Sequence, residues 1–475
     1  MSHQLRPSFA ASRLLAFCAV AGFYAAAALS GCGGGGDDSS SDPFPSPNPS
    51  VPIGDPGRGG ALSDGCSRNG QFIAQPGWRG ECGVAVQPTR KWTVLIYMNG
   101  ANDLEQYGNL NLNQIEQFGS DNNINFVAQF KRIPESAQTH SSDDDKSDGD
   151  WTGGRRFVVR RDNDSNRVTS PIISTRSDLD MGDADTLQSF IQWGVKTFPA
   201  QRYAVVLWNH GAGWRGRSVK SPVTRGFSYD DEKGTHIDTI ELPAAIRLGG
   251  GRKWDLVAWD SSLMQILEVA HEIKDETDWI VGSEESPPGR GYPYQLWVDK
   301  LIANPDGDGR FVGEAICTAM FDGYGNSDRI TESLLDTSKV AALSAAVNDF
   351  GATLLAAKSR FGSEIAQARD EAERFDYDEN KDLIDFARLI KERIGDASVQ
   401  ASATRVEEAA RAAVVKSVNK LDHPNAEGIA IYLPTPNGYR RDDITQANGF
   451  GQRYTQLLFA RDAPNWQSFL TQGPP

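Results

Sequence analysis

The chain has 475 residues, with 63 acidic against 48 basic side chains and a net charge of −15. That balance argues against nucleic acid as a partner, since a clustered positive face is what binding phosphate backbones requires. Apolar residues make up 39% and charged residues 23%, the composition of a globular protein long enough for one large domain or two ordinary ones.

In chain order, residues 1–31 read as a signal peptide. Arg6 and Arg13 precede the apolar run Leu14 to Leu29, which closes on Leu29-Ser30-Gly31-Cys32. The run is short and ends in Gly and Cys, unlike a membrane-spanning helix. Its last four residues resemble a bacterial lipobox, which implies lipidation of Cys32 and a membrane partner reached through an N-terminal lipid. The expected location is the cell envelope, and Gly33 after Cys32 suggests the outer membrane or cell surface. Residues 32–60, rich in Gly, Asp, Ser and Pro, cannot bury a core and read as a disordered tether. In the short segment 61–90, Cys66 and Cys82 flank a Gly-rich loop and are expected to form a disulfide in an exported protein. Cys317, in the apolar stretch Ala315 to Met320, reads as a buried thiol.

Residues 91–465 alternate strands and helices, the pattern of an α/β sheet. Strand Trp92 to Met98 leads to a helix around Leu104 to Phe118, and strand Ile124 to Arg132 to an acidic insertion, Pro134 to Gly154. Its run Asp143-Asp144-Asp145 to Asp150 lacks EF-hand spacing and reads as a solvated loop. After strand Arg155 to Arg160 and helix Asp183 to Thr197, the apolar strand Arg202 to Trp208 ends at Asn209-His210-Gly211. A basic loop with Arg215, Arg217, Lys220 and Arg225 follows, and His236 beyond it reads as a surface residue.

The apolar strand Trp254 to Trp259 ends at Asp260-Ser261-Ser262, before a helix predicted over Leu263 to Lys274. Parallel strands covered on both faces read as continuous apolar runs and present functional groups at their carboxyl ends. His210 and Ser262 are therefore candidates for a base and a nucleophile on adjacent strand ends. Asp and Ser before a helix are also preferred caps, and for Asp260 and Ser262 both readings stand. His271 reads as a packing residue. Strand Trp279 to Glu284 leads to the loop Ser286-Pro287-Pro288-Gly289-Arg290-Gly291-Tyr292. Beyond it come helical runs at Val340 to Lys358, Leu383 to Ile394 and Ser398 to Lys420, then a strand Gly428 to Leu433 expected to rejoin the sheet.

These segments resemble the clostripain-like cysteine peptidases, family C11 of the caspase and gingipain clan. The match is carried by Trp92 to Met98 with Asn102-Asp103-Leu104-Glu105, His210-Gly211, Asp260-Ser261-Ser262-Leu263-Met264, Gly282-Ser283-Glu284-Glu285 with Pro288-Gly289, Leu383 to Phe386, and Gly428 to Pro434. The resemblance implies a caspase-like three-layer α/β/α sandwich with a mostly parallel sheet and helical C-terminal additions. It implies an endopeptidase acting on peptide or protein substrates, with His210, Gly211 and Ser262 in the catalytic positions and no metal in the catalytic machinery. Gly211 and Ser262 would offer backbone N–H groups to the oxyanion. Asp260 matches the residue that selects Arg or Lys, and Tyr292 the aromatic residue of the substrate loop. Calcium enters only by this resemblance, because clostripain requires it. The chain is expected to be a monomer. The family nucleophile is a cysteine, however, and Ser262 stands in its place. A hydroxyl stays protonated where a thiol ionises readily, so the alternative is an inactive relative that keeps the cleft for binding or scaffolding.

Overall fold

The computed structural model describes residues 60–61, 65–68, 71–74, 85–138, 140–214, 226–326, 328–447 and 452–475. The signal peptide, the Cys32 lipid site, most of the tether, Cys82 and the basic loop 215–225 lie outside them. So does the side chain of Cys66, and with it the expected disulfide.

Five parallel strands form the centre of one large mixed sheet. Their spatial order is Ile124–Arg132, Arg90–Gly100, Ala200–Trp208, Leu256–Asp260 and Trp279–Gly282. Antiparallel strands extend both sides: Trp151–Val158 and Ile172–Arg176 beyond the first, Thr331–Asp336 and Val414–Asn419 beyond the last. The short strand Gly65–Arg68 adds to Ile172–Arg176, again antiparallel.

The continuous apolar runs follow from burial on both faces. In Arg90–Gly100, Trp92, Val94, Ile96 and Met98 enter one core while Leu95 and Tyr97 enter the other; in Ala200–Trp208, Ala204, Val206 and Trp208 oppose Val205 and Leu207. The first face is covered by the helices Glu105–Glu116, Tyr294–Ala303 and Gly309–Gly323. Helices Ala184–Thr197, Leu267–Ile273, Val340–Glu371, Leu383–Arg393, Ala397–Ala413 and Pro464–Gln472 cover the second. This is the expected three-layer sandwich. Caps are local and legible: Asp183 accepts from the Asp185 N–H, and Asp382 from that of Asp385.

Four elements depart from expectation. The helix predicted over Ser398 to Lys420 stops at Ala413, and Val414–Asn419 becomes an edge strand; β-branched Val414, Val415 and Val418 favour that outcome. The strand near Gly428 shortens to Ala430–Tyr432 and pairs with Asn380–Asp382 in a separate two-stranded sheet instead of rejoining the large one. The acidic insertion is pinned at its base, with Ser141, Ser142, Lys146 and Ser147 still exposed. Buried Arg132 pairs with buried Glu105 at 2.9 Å and donates to the Gly149 carbonyl, while Asn109 holds the Asp145 carboxylate at 2.8 Å. Finally, the helix predicted from Leu263 begins only at Leu267.

Candidate active site

The register of two strands sets the site. In the pairing of Ala200–Trp208 with Leu256–Asp260, Trp208 lies opposite Asp260. His210 and Ser262 each follow two residues later, so both leave the sheet at the same level and line one cleft of about 430 Å³. Their backbones approach so closely that a Cβ on Gly211 would fall 2.4 Å from the Ser262 carbonyl oxygen and 2.5 Å from Ser261 Oγ. Only glycine fits there.

Beyond Asp260 the chain does not enter a helix. Leu263 adopts φ +64°, a left-handed conformation rare for a branched side chain, and its N–H donates to the Glu285 carbonyl while that of Gln265 donates to Ser283. The helix is capped at Ile266 without a side-chain bond. Ser262 and Asp260 are therefore not the caps of that helix. Ser261 is buried whereas Ser262 is half-buried, which leaves Ser262 as the hydroxyl accessible from the cleft. Strained backbone of this kind concentrates at functional sites.

His210 has a partner that the motif reading did not assign. Its Nε2 lies 2.5 Å from Asp103 Oδ1, in the turn after Arg90–Gly100. Both turns are tied to the strand Phe227–Asp230. The Tyr229 N–H donates to Asn209 Oδ1, Asn209 donates to the Asn99 carbonyl, and Asn102 Nδ2 donates to the Tyr229 carbonyl. That strand is anchored by Asp230, whose carboxylate meets Lys131 Nζ at 2.7 Å with both side chains fully buried. The bridge between Gly211 and Phe227 uses the Ala212 N–H and the His210 carbonyl, so the Gly211 N–H stays out of that ladder. The sequence signal for Asp103 was its place in Asn102-Asp103-Leu104-Glu105 at a strand's carboxyl end.

Asp260 lines the cleft but is only 6% exposed. Its carboxylate accepts from the Tyr292 N–H at 3.0 Å and the Tyr294 hydroxyl at 2.7 Å, and burial pushes its pKa up to about 7. Gly291, at φ +64°, brings the loop so near that a Cβ there would lie 2.6 Å from Asp260 Oδ1. Two neutral donors thus already hold this carboxylate. Tyr292, the other residue expected to meet substrate, lies beside it. Its ring is buried, with its hydroxyl 2.9 Å from both the Trp259 carbonyl and Glu332, so it reaches the cleft only through its backbone hold on Asp260.

Elsewhere, His271 packs between Ser344 and Asp462, half-buried His236 sits 3.2 Å from Asp238, and Cys317 is a free thiol whose pKa burial raises well above its usual value. Among the described residues no three His, Cys, Asp or Glu side chains group as a metal site. In the acidic insertion Asp144 pairs with Lys146, and Asp145 accepts from Asn109 and the Ser147 N–H.

The clostripain family model matches residues 96–472. The chain belongs to the clostripain family. Clostripain of Hathewaya histolytica is 29% identical over 233 residues, 45% of this chain, and the match spans 43% of that relative's length. Two solved structures share the fold. A secreted C11 cysteine protease from Bacteroides thetaiotaomicron, in complex with an irreversible peptide inhibitor, has a TM-score of 0.56 at 20% identity, covering 79% of this chain and 99% of its own. An inactive zymogen C11 protease from Parabacteroides distasonis has a TM-score of 0.53 at 18% identity, covering 80% and 99%. At these identities the likeness speaks for the caspase-like sandwich alone.

Proposed function

We propose that this clostripain-family chain is an exported, lipid-anchored endopeptidase that cleaves peptides or proteins after Arg or Lys, with Ser262 attacking the scissile carbonyl. The observation that carries the reading is the matched register of His210 and Ser262 at the mouth of one cleft. Ser262 Oγ bonds to the carbonyl carbon as His210 takes its proton, and His210 then protonates the leaving amine. The N–H groups of Gly211 and Ser262 are proposed to hold the oxyanion, an effect worth about 3 kcal/mol per donor in comparable enzymes.

The specificity rests on charge. Asp103, Asp143, Asp260 and Asp376 line the cleft, and Arg329, the one Arg or Lys in its wall among the described residues, is already paired with Glu285 and Asp376. A cationic P1 side chain beside Asp260 would favour its ionised form and gain a charge-assisted bond. We further propose residues 1–31 as the lipoprotein signal, 32–60 as tether, 61–90 as a small disulfide-linked segment and 91–465 as the peptidase domain. The experiment compares the mature protein and its Ser262→Cys variant on Arg- and Lys-containing peptides. Cleavage after those residues by the cysteine form is expected. A folded but inert Ser262→Cys protein would instead favour the second reading, a binding scaffold, which the absence of the family cysteine motivates. Loss of membrane retention in Cys32→Ser tests the anchor separately.

A further inference from the structure

We infer that Asp103 completes a Ser262–His210–Asp103 triad, so that the site works as a serine-type acyl transferase and not as a thiolate–imidazolium pair missing its sulfur. The inference rests on the peptidase reading of the same cleft and adds to it the group that lets an alcohol act as nucleophile. A cysteine site needs its histidine mainly to favour the thiolate. A serine site needs the histidine to remove a proton as the bond forms, and that requires a fixed ring orientation and a fixed tautomer.

Asp103 supplies both. Its carboxylate oxygen lies 2.5 Å from His210 Nε2, so in the neutral imidazole the Nε2–H donates to Asp103 and the lone pair stays on Nδ1. Nδ1 is then the ring nitrogen that remains, and Ser262 lines the same cleft. On attack the Oγ–C bond forms, the hydroxyl proton moves to Nδ1, and the imidazolium is held by the Asp103 carboxylate. Collapse of the tetrahedral intermediate breaks the C–N bond as Nδ1–H passes to the amine, and water releases the acyl group by the reverse sequence.

The arrangement is built rather than incidental. Asp103 and His210 sit on turns that follow adjacent strands, Arg90–Gly100 and Ala200–Trp208. Both turns are fastened to Tyr229 through Asn102 and Asn209, and the Asp231 N–H adds a further bond to the Ala101 carbonyl. Asn102 Oδ1 also accepts the Leu104 N–H, which closes the backbone on either side of Asp103. The Asp103 side chain is 47% exposed and that of His210 21%, so both are reachable from the cleft where substrate would lie over them.

The test measures Asp103→Asn in two backgrounds, wild type and Ser262→Cys, on an Arg peptide. In the serine form kcat is expected to fall about 10²- to 10⁴-fold with KM little changed, because the wrong tautomer is populated. In the cysteine form the loss should stay within about tenfold, since the thiolate needs no concerted base. Asp103→Glu should recover part of the serine-form rate, and an arginyl phosphonate diphenyl ester should label Ser262 in wild type and far more slowly in Asp103→Asn. Equal losses in both backgrounds, or a wild type that is inert beside an active Ser262→Cys, would overturn the triad and leave the peptidase reading intact. Inertness of Ser262→Cys itself would bring down that reading instead.

Discussion

The two walls of the cleft each carry an aspartate at a strand's carboxyl end, and the two are held in opposite ways. Asp103 is half-exposed and meets the imidazole of His210, while Asp260 is buried and meets a backbone N–H and a tyrosine hydroxyl. Burial pushes the Asp260 carboxyl up to about 7, since among the described residues only neutral donors offset the lost hydration. One wall is arranged around a ring that must change charge. The other holds a carboxylate whose ionisation a cationic substrate would favour. Identical residue types thus acquire distinct roles from the depth at which the chain leaves them and the partners they find there.

The hardest blow should fall on the first wall. His210→Ala is expected to lower kcat of whichever nucleophile form is active by about 10⁴- to 10⁶-fold, read by steady-state cleavage of an Arg peptide. A residual rate within tenfold of the parent would mean that another base serves Ser262.

Next in size is the anchor beneath that wall. Lys131→Met leaves Asp230 buried without its cation and should cost about 3–5 kcal/mol in urea unfolding. Adding Asp230→Leu should recover most of it; if the single change is silent, the Phe227–Asp230 strand is not what holds His210.

On the second wall, Asp260→Asn should reduce kcat/KM for Arg and Lys substrates by about 10- to 100-fold, the scale of a charge-assisted bond, and leave neutral P1 residues unaffected. The sign with pH follows from the raised pKa. Asp260 is protonated below about 7, so KM for basic substrates should fall as pH rises through that value, and the asparagine variant should lose the dependence. The same shift makes the folded state the stronger proton binder. Stability from this group is full below an unfolded pKa of about 4 and lost as pH approaches 7, so Asp260→Asn should raise Tm more at pH 8 than at pH 5.

The smallest effect concerns Tyr294. Tyr294→Phe removes a 2.7 Å donor to the Asp260 carboxylate and should move the KM inflection upward, with about 1 kcal/mol lost from binding of basic substrates. An unmoved inflection would place the titrating group elsewhere.

Much of this was legible in the chain. The apolar runs of Arg90–Gly100, Ala200–Trp208 and Leu256–Asp260 announced parallel strands, and strand-end polar residues marked the site. What misled was equally physical. Leu263 to Lys274 has good helical composition, yet the backbone from Leu263 to Gln265 bonds across to Glu285 and Ser283, so the helix waits until Leu267. The Ala-rich run after Ser398 promised one helix because its periodicity is local, while Val414–Asn419 answers to the unpaired edge of Thr331–Asp336.

By itself, then, the order of residues determined the central parallel strands, that both sheet faces would be covered, and that His210 and Ser262 would follow two of those strands. These follow from the period and length of apolar runs, which are properties of sequence neighbours. Only the tertiary structure decided that Asp103 meets His210 across 107 positions, that Asp260 is roofed by Tyr292 and Tyr294, and that Tyr292 turns away from the cleft. Each depends on which strand lies beside which and on the pKa and access that burial then imposes, quantities that spacing along one chain does not carry.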